Sequence, residues 1–295
     1  MDKIKKWGLL FLIILIISAT KENVEDYLND RPKTPIQRIS KESINLPILM
    51  YHEIQKDVNE KASTIISYKK FKEDMLWLKN NGYNTVFFKD VINYIKGKGS
   101  LPDKPVLITF DDGYLSNYEY AYPLLKELNM NATIFIIGWS VDSNRHKYTI
   151  TPFYPHFSWE QAKEMYDSGY IDIQSHTFDL HENIITKENS RKGICQMQDE
   201  SYQDYVNLLK NDNNTMQNLL DKYVGCKIYA LAYPYGEYSF YTPKAMKELG
   251  IKATVTTEHG TNNIYVGMYD LYNLNRINIT ENTRLSKIKE LKFCP

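Results

Sequence analysis

From Leu46 onward, short apolar runs rich in β-branched and aromatic residues alternate with stretches whose apolar residues recur at helical spacing. The runs are Leu46 to Tyr51, Tyr83 to Phe88, Val106 to Phe110, Ala132 to Ile137, Tyr170 to Gln174, Ile228 to Tyr233, Ile251 to Thr256 and Leu274 to Ile279. Between them, Phe71, Met75 and Leu78 before Asn81-Gly82 mark an amphipathic helix, and Val91 to Ile95, closed by Gly97, marks a shorter one. Further helices are marked by Tyr118, Tyr122, Leu125 and Leu128, by Ser158 capping Trp159, Ala162 and Met165, by Tyr205, Leu208 and Leu209, and by Thr242 to Leu249. Apolar strands alternating with helices form a parallel sheet covered by helices. This many units predicts an α/β fold, a closed or nearly closed (β/α) barrel of about seven strands. No internal repeat or low-complexity block interrupts the pattern.

In such a barrel, catalytic groups gather at the C-terminal ends of the strands. The polar residues at the expected exits are His52, Asp111 with Asp112, His176 with His181, and Tyr233-Pro234-Tyr235-Gly236. The Asp111-Asp112 pair ends an otherwise apolar strand, where two charges are costly unless a cation or donors compensate them. Gly113 can take backbone angles that let both carboxylates face one mouth. Taken alone, the same residues suit a plain turn with a helix cap, and either histidine alone suits an ordinary hydrogen-bonding role. The joint placement at four separate strands points to a site.

An aspartate and two histidines, Asp112, His176 and His181, make a ligand set for zinc or a similar divalent ion, with cobalt, nickel and iron as alternatives. Such an ion polarises a carbonyl and acidifies water. Asp111 is then available as a base. His52 could protonate a leaving amine, a step that amide hydrolysis needs. His146, His156 and His259 fall in expected loops and read as solvent-facing or structural.

Composition narrows the partners. Lys plus Arg and Asp plus Glu are 36 each, so no bulk field favours nucleic acid. The 24 tyrosines suit stacking on sugars, though they serve equally well in a core. Cys195, Cys226 and Cys294 lack the paired spacing of a zinc ribbon; one disulfide fits and none is required. Lys3, Lys5 and Lys6 precede the apolar stretch Trp7 to Ala19, which has the length of a secretory segment. Residues 1–20 are therefore expected to be a signal peptide or an N-terminal membrane anchor, 21–45 a polar linker and 46–295 the catalytic domain. A secreted or cell-surface location follows.

Thr109-Phe110-Asp111-Asp112-Gly113-Tyr114, Ser175-His176-Thr177-Phe178-Asp179-Leu180-His181 and Tyr233-Pro234-Tyr235-Gly236 resemble the three motifs of the polysaccharide deacetylase family, carbohydrate esterase family four. The resemblance spans roughly residues 46 to 280. It implies a distorted (β/α) barrel, Asp111 as base, and metal ligation by Asp112, His176 and His181. The longer histidine spacing and Leu49-Met50-Tyr51-His52-Glu53-Ile54 upstream of the first motif look most like the poly-N-acetylglucosamine deacetylase branch. There the strand order is permuted, and by that resemblance His52 stands in for a late catalytic histidine.

Many family members carry an arginine just before Pro-Tyr-Gly that pairs with the catalytic carboxylate. Here Ala232 and Tyr233 occupy that approach, which leaves the partner of Asp111 open. Arg276 and Asp270 are candidates for the tuning network, though a strand-end arginine also suits a structural ion pair. The backbone N–H of Tyr235 is a candidate oxyanion donor.

The expected reaction is removal of N-acetyl groups from an N-acetylglucosamine polysaccharide. Peptidoglycan, chitin fragments and acetylated xylan are alternative substrates. A glycosidase fits less well, because adjacent carboxylates seldom give the separation that glycoside hydrolysis needs. A silent glycan-binding barrel is the third class, set against the intact Asp111, Asp112, His176, His181 and His52.

Overall fold

A computed structural model describes residues 43–58, 63–142, 154–185 and 190–290. The signal or anchor segment, nearly all of the linker, His146 and Cys294 lie outside the described residues. Seven strands form the barrel: β1 (Ile48–Tyr51), β2 (Pro105–Asp112), β3 (Ala132–Ile136), β4 (Ile171–Ser175), β5 (Ala230–Ala232), β6 (Ala253–His259) and β7 (Leu271–Asn278). Each pairs in parallel with the next, and β7 pairs with β1, which pairs with β2, so the ring closes. Parallel neighbours bring every strand's C-terminal end to one rim. The seam between β4 and β5 is narrow, with the single pair Leu231 and Ser175.

Alternation along β2 sorts its side chains between two cores. Val106, Ile108 and Phe110 pack with Phe71, Met75, Leu125 and Met165 from the helical layer. Leu107 instead packs with Phe135, Ile48, Ala230, Val255 and Leu274. Thr109 and Asp111 share the Leu107 side of the strand, so the periodicity that buries Leu107 also carries the Asp111 carboxylate inward.

The covering helices begin where their capping residues dictate. Ser67 caps α1 (Tyr68–Asn80) by accepting from Lys70 N, and α1 buries Phe71, Met75 and Leu78 along one face. Ser158 and Gln161 form a reciprocal capping box at α4 (Trp159–Asp167), following α2 (Phe88–Ile95) and α3 (Tyr122–Leu128). Ser201 caps the 22-residue α5 (Tyr202–Tyr223), and α6 (Thr242–Glu248) leads into β6.

Two expectations change. Only Asn84–Thr85 of the Tyr83 to Phe88 run pairs as a strand, because Phe87 N donates to Asp90 Oδ2 and the chain turns directly into α2. The helix expected from Tyr118 starts as a π-helical turn, Asn117–Ala121, before α3. Among the described residues no helix is long and apolar enough to cross a membrane. Cys195 and Cys226 are both free thiols.

Candidate active site

β2 delivers Asp111 and Asp112 together, but the reorienting bend begins one residue earlier than Gly113. Asp112 itself adopts φ +73°, and Gly113 follows at φ +85°. A left-handed backbone is unfavourable for a residue with a Cβ and is common at functional sites. Thr177, after His176, and Tyr235 repeat it at φ +72° and +60°. Three non-glycine residues in that region thus stand beside the same mouth.

His176 follows β4 and continues its ladder, its N–H donating to Ile136 O at 2.9 Å. Its Nδ1 lies 2.8 Å from Ala232 O, which makes Nδ1 the protonated nitrogen and leaves the Nε2 lone pair for the site. Burial pushes the His176 imidazole down to about 4, so the ring is neutral, the form a metal ligand needs, at neutral pH.

His176 Nε2 and His181 Nε2 stand 3.5 and 3.6 Å from Asp112 Oδ1. One ligand atom from each of the three residues can be chosen so that all lie within 4.8 Å of one another. Those gaps are long for hydrogen bonds. The two gaps to Asp112 match the spacing of about 3.3–3.6 Å between two ligands set at about 2.0–2.2 Å around one tetrahedral centre. Asp112, His176 and His181 therefore fit a divalent metal ion by ligand type and by the spacing of both imidazoles from the carboxylate.

Tyr235 sits in a 3-10 turn, Pro234–Gly236, directly after β5 and Tyr233. Its ring packs on His181 with centroids 4.7 Å apart, and its hydroxyl donates to His181 O at 3.4 Å. The turn demands a glycine next, since Gly236 has φ +73° and an added Cβ would come within 2.1 Å of Thr257 Oγ1. The side chain of Tyr235 thus steadies His181, a contact the sequence did not announce.

The partner of Asp111 is Arg276 on β7. Nη1 donates to Oδ1 at 2.7 Å and Nη2 to Oδ2 at 2.6 Å, a two-pronged fork. Nε donates to Thr256 O at 2.7 Å and Nη1 also reaches Thr109 Oγ1 at 3.3 Å, with the arginine fully buried. Burial alone would raise the Asp111 carboxyl, but the guanidinium outweighs it and holds the group well below the usual carboxylate range. The arginine missing before Pro-Tyr-Gly is thus replaced by one on β7, 165 residues from Asp111 in sequence. Asp270 precedes β7 and accepts from Tyr272 N, a local turn contact.

His52 leaves β1 with its carbonyl held by Asn117 Nδ2 at 2.8 Å, and places Nε2 3.9 Å from Asp111 Oδ2. All six residues singled out in the sequence, Asp111, Asp112, His52, His176, His181 and Tyr235, therefore meet at one rim. Of the remaining histidines, His156 lies against the Tyr114 ring, 5.1 Å between centroids, and His259 ends β6.

The family model for polysaccharide deacetylase matches residues 98–254. YxkH of Bacillus subtilis (strain 168), also named as a polysaccharide deacetylase, is 36% identical over 228 residues, covering 77% of this chain and 70% of that protein. The poly-β-1,6-N-acetyl-D-glucosamine N-deacetylase of Staphylococcus epidermidis is 29% identical over 268 residues, 86% of this chain and 87% of that protein. Among solved structures, a de-N-acetylase from Aggregatibacter actinomycetemcomitans superposes with a TM-score of 0.73 at 28% identity, covering 84% of this chain and 99% of that one. With the closed parallel barrel and the motif residues gathered at its rim, these matches establish that the chain belongs to the polysaccharide deacetylase family.

Proposed function

We propose that this enzyme removes N-acetyl groups from an N-acetylglucosamine polysaccharide, poly-β-1,6-N-acetylglucosamine before other glycans, at a divalent ion held by Asp112, His176 and His181. The observation that carries the reading is the pair of carboxylates at the end of β2, one facing two imidazoles at ligand spacing and the other facing Arg276 and His52. The preference for poly-β-1,6-N-acetylglucosamine rests on the Staphylococcus epidermidis relative. The donor set suits zinc, with cobalt, nickel and iron as alternatives. When bound, the ion supplies Lewis acidity toward a carbonyl oxygen and toward water.

The chain's own groups move the protons. Asp111 is ionised across the working range and takes a proton from the attacking water. The fork from Arg276 makes it a weak base, suited to a proton that is already acidic, and fixes its plane. His52 Nε2 gives a proton to the departing nitrogen as the amide C–N bond breaks and the C–O bond forms, leaving acetate and a glycan amine. Keeping Nε2 3.9 Å from Oδ2, beyond hydrogen-bond reach, lets the two groups act separately. The Tyr235 backbone N–H is assigned to the developing oxyanion, on a turn whose shape Pro234 and Gly236 enforce. Location outside the cell or on its surface, by secretion or a membrane anchor, is supported by Lys3, Lys5 and Lys6 ahead of Trp7 to Ala19.

The test is acetate release from poly-N-acetylglucosamine, chitooligosaccharides, peptidoglycan and acetylxylan, with and without chelator, alongside chain-length analysis. Acetate without chain shortening, abolished by chelator and greatest on poly-N-acetylglucosamine, is the expected result. Shortened chains without acetate would show a glycosidase and overturn the reading.

A further inference from the structure

The two histidines of the centre are separated by a four-residue loop, Thr177 to Leu180, whose four backbone N–H groups are all engaged. Thr177 N donates to Ser175 Oγ at 3.1 Å and Leu180 N to Thr177 Oγ1 at 3.2 Å, both local contacts. The middle two, Phe178 N and Asp179 N, donate to Oδ2 and Oδ1 of Asp212, each at 2.8 Å. Asp212 lies midway along α5, seven residues after Tyr205 and four before Met216, on the face that buries Tyr205, Leu209, Met216 and Leu220.

On its other side the loop is held by Gly138 N and Trp139 N, which donate to Thr177 O and Phe178 O at 3.0 and 3.1 Å. A Cβ on Gly138 would meet Phe178 Cδ2 at 2.8 Å and Met216 Sδ at 2.7 Å, so this wall is packed to contact. From α5, Asp212 thus holds the two middle N–H groups of the loop at once. Its chemistry is specific. Two convergent N–H donors need two acceptor oxygens, and an ionised carboxylate supplies both in charge-assisted bonds. An asparagine would offer one oxygen and turn an NH₂ group toward the second N–H.

We propose that Asp212 is a positioning residue of the metal centre: acting through the Thr177–Leu180 backbone, it holds His181 in ligand register with Asp112 and His176 before any ion arrives. This rests on reading those three residues as metal ligands. Outer partners of metal ligands typically change affinity about 10–100-fold when removed. A role confined to stability would lower the melting temperature and leave the affinity of the folded protein alone.

The experiment measures zinc affinity of the full chain by competition with a chromophoric chelator, well below the melting temperature. Wild type, Asp212→Asn and a packing control on the same helix, Leu220→Ala, are compared. Asp212→Asn is expected to bind zinc about 10–100-fold more weakly, while Leu220→Ala lowers the melting temperature without moving the zinc affinity. Equal affinity in wild type and Asp212→Asn overturns the proposal and leaves the ligand assignment standing. Equal weakening in Leu220→Ala also overturns it, as a general stability effect. Absence of zinc binding by wild type itself overturns the ligand assignment beneath it. If Asp212→Asn does not fold, hydrogen exchange in metal-free wild type decides. Protected amides at Phe178 and Asp179 are expected, and exchange at free-peptide rates refutes preorganisation.

Discussion

Arg276→Met separates the electrostatic role of the fork from its bulk. The substitution keeps a long side chain in a fully buried position and deletes the only cation within hydrogen-bond distance of Asp111 among the described residues. Breaking a buried ion pair by removing one partner costs about 3–5 kcal/mol, because the remaining charge is desolvated and uncompensated. For a domain of this size that corresponds to roughly 6–20 °C in melting temperature.

The pH dependence carries the sign. In wild type the Asp111 pKa is depressed on folding, so its contribution is present above the unfolded carboxylate value of about 3.9 and is lost as pH falls below it. Without the cation, burial raises the same pKa above the unfolded value, so Arg276→Met should recover stability relative to wild type as the medium is acidified from pH 7 to 5. Asp111→Asn combined with Arg276→Met removes both charges and should be more stable at pH 7 than Arg276→Met alone. The assay is urea unfolding in chelator at both pH values, which keeps metal binding out of the comparison. A variant within 1 kcal/mol of wild type at pH 7, or a double variant no more stable than Arg276→Met, refutes the reasoning.

His52→Gln should bind zinc as wild type does and lose turnover by about 10²–10⁴-fold, read by acetate release; loss of zinc instead would place His52 among the ligands. Asp172 is buried in β4, and burial raises its carboxyl to about 6 despite hydrogen bonds from Tyr229 and Gln174. A raised pKa contributes stability below the unfolded value near 4 and loses it as pH climbs through about 6, a swing of about 3 kcal/mol at most. Asp172→Asn should therefore flatten the stability profile between pH 4 and 7 in urea titrations, and an unchanged slope would mean that Asp172 is not the group responsible.

Much of the barrel was legible because its strands are buried on both faces and interrupted by capped helices. Ser158 announces a helix start, and the apolar run before Asp111 announces β2. The convergence of the candidate site residues was legible because a parallel barrel brings its strand exits to one rim. What escaped was coupling at long range. Arg276 was visible as a strand-end arginine, but its alignment with Asp111 depends on β7 closing against β1 and on register shifts between β6 and β7 that no local spacing encodes. Asp212 falls on the apolar stripe of α5, but only the folded loop shows two N–H groups converging on it. Tyr83 to Phe88 misled for the opposite reason: a strand-like composition yielded to the bond from the Phe87 backbone N–H to the Asp90 carboxylate.

Diffraction from a zinc-soaked crystal, collected at the zinc absorption edge, reads the metal assignment without any substrate. One anomalous peak should lie about 2.0–2.2 Å from an Asp112 carboxylate oxygen, His176 Nε2 and His181 Nε2. Those three atoms without a peak between them, or a peak held by other side chains, would contradict the assignment on which the proposed hydrolysis depends.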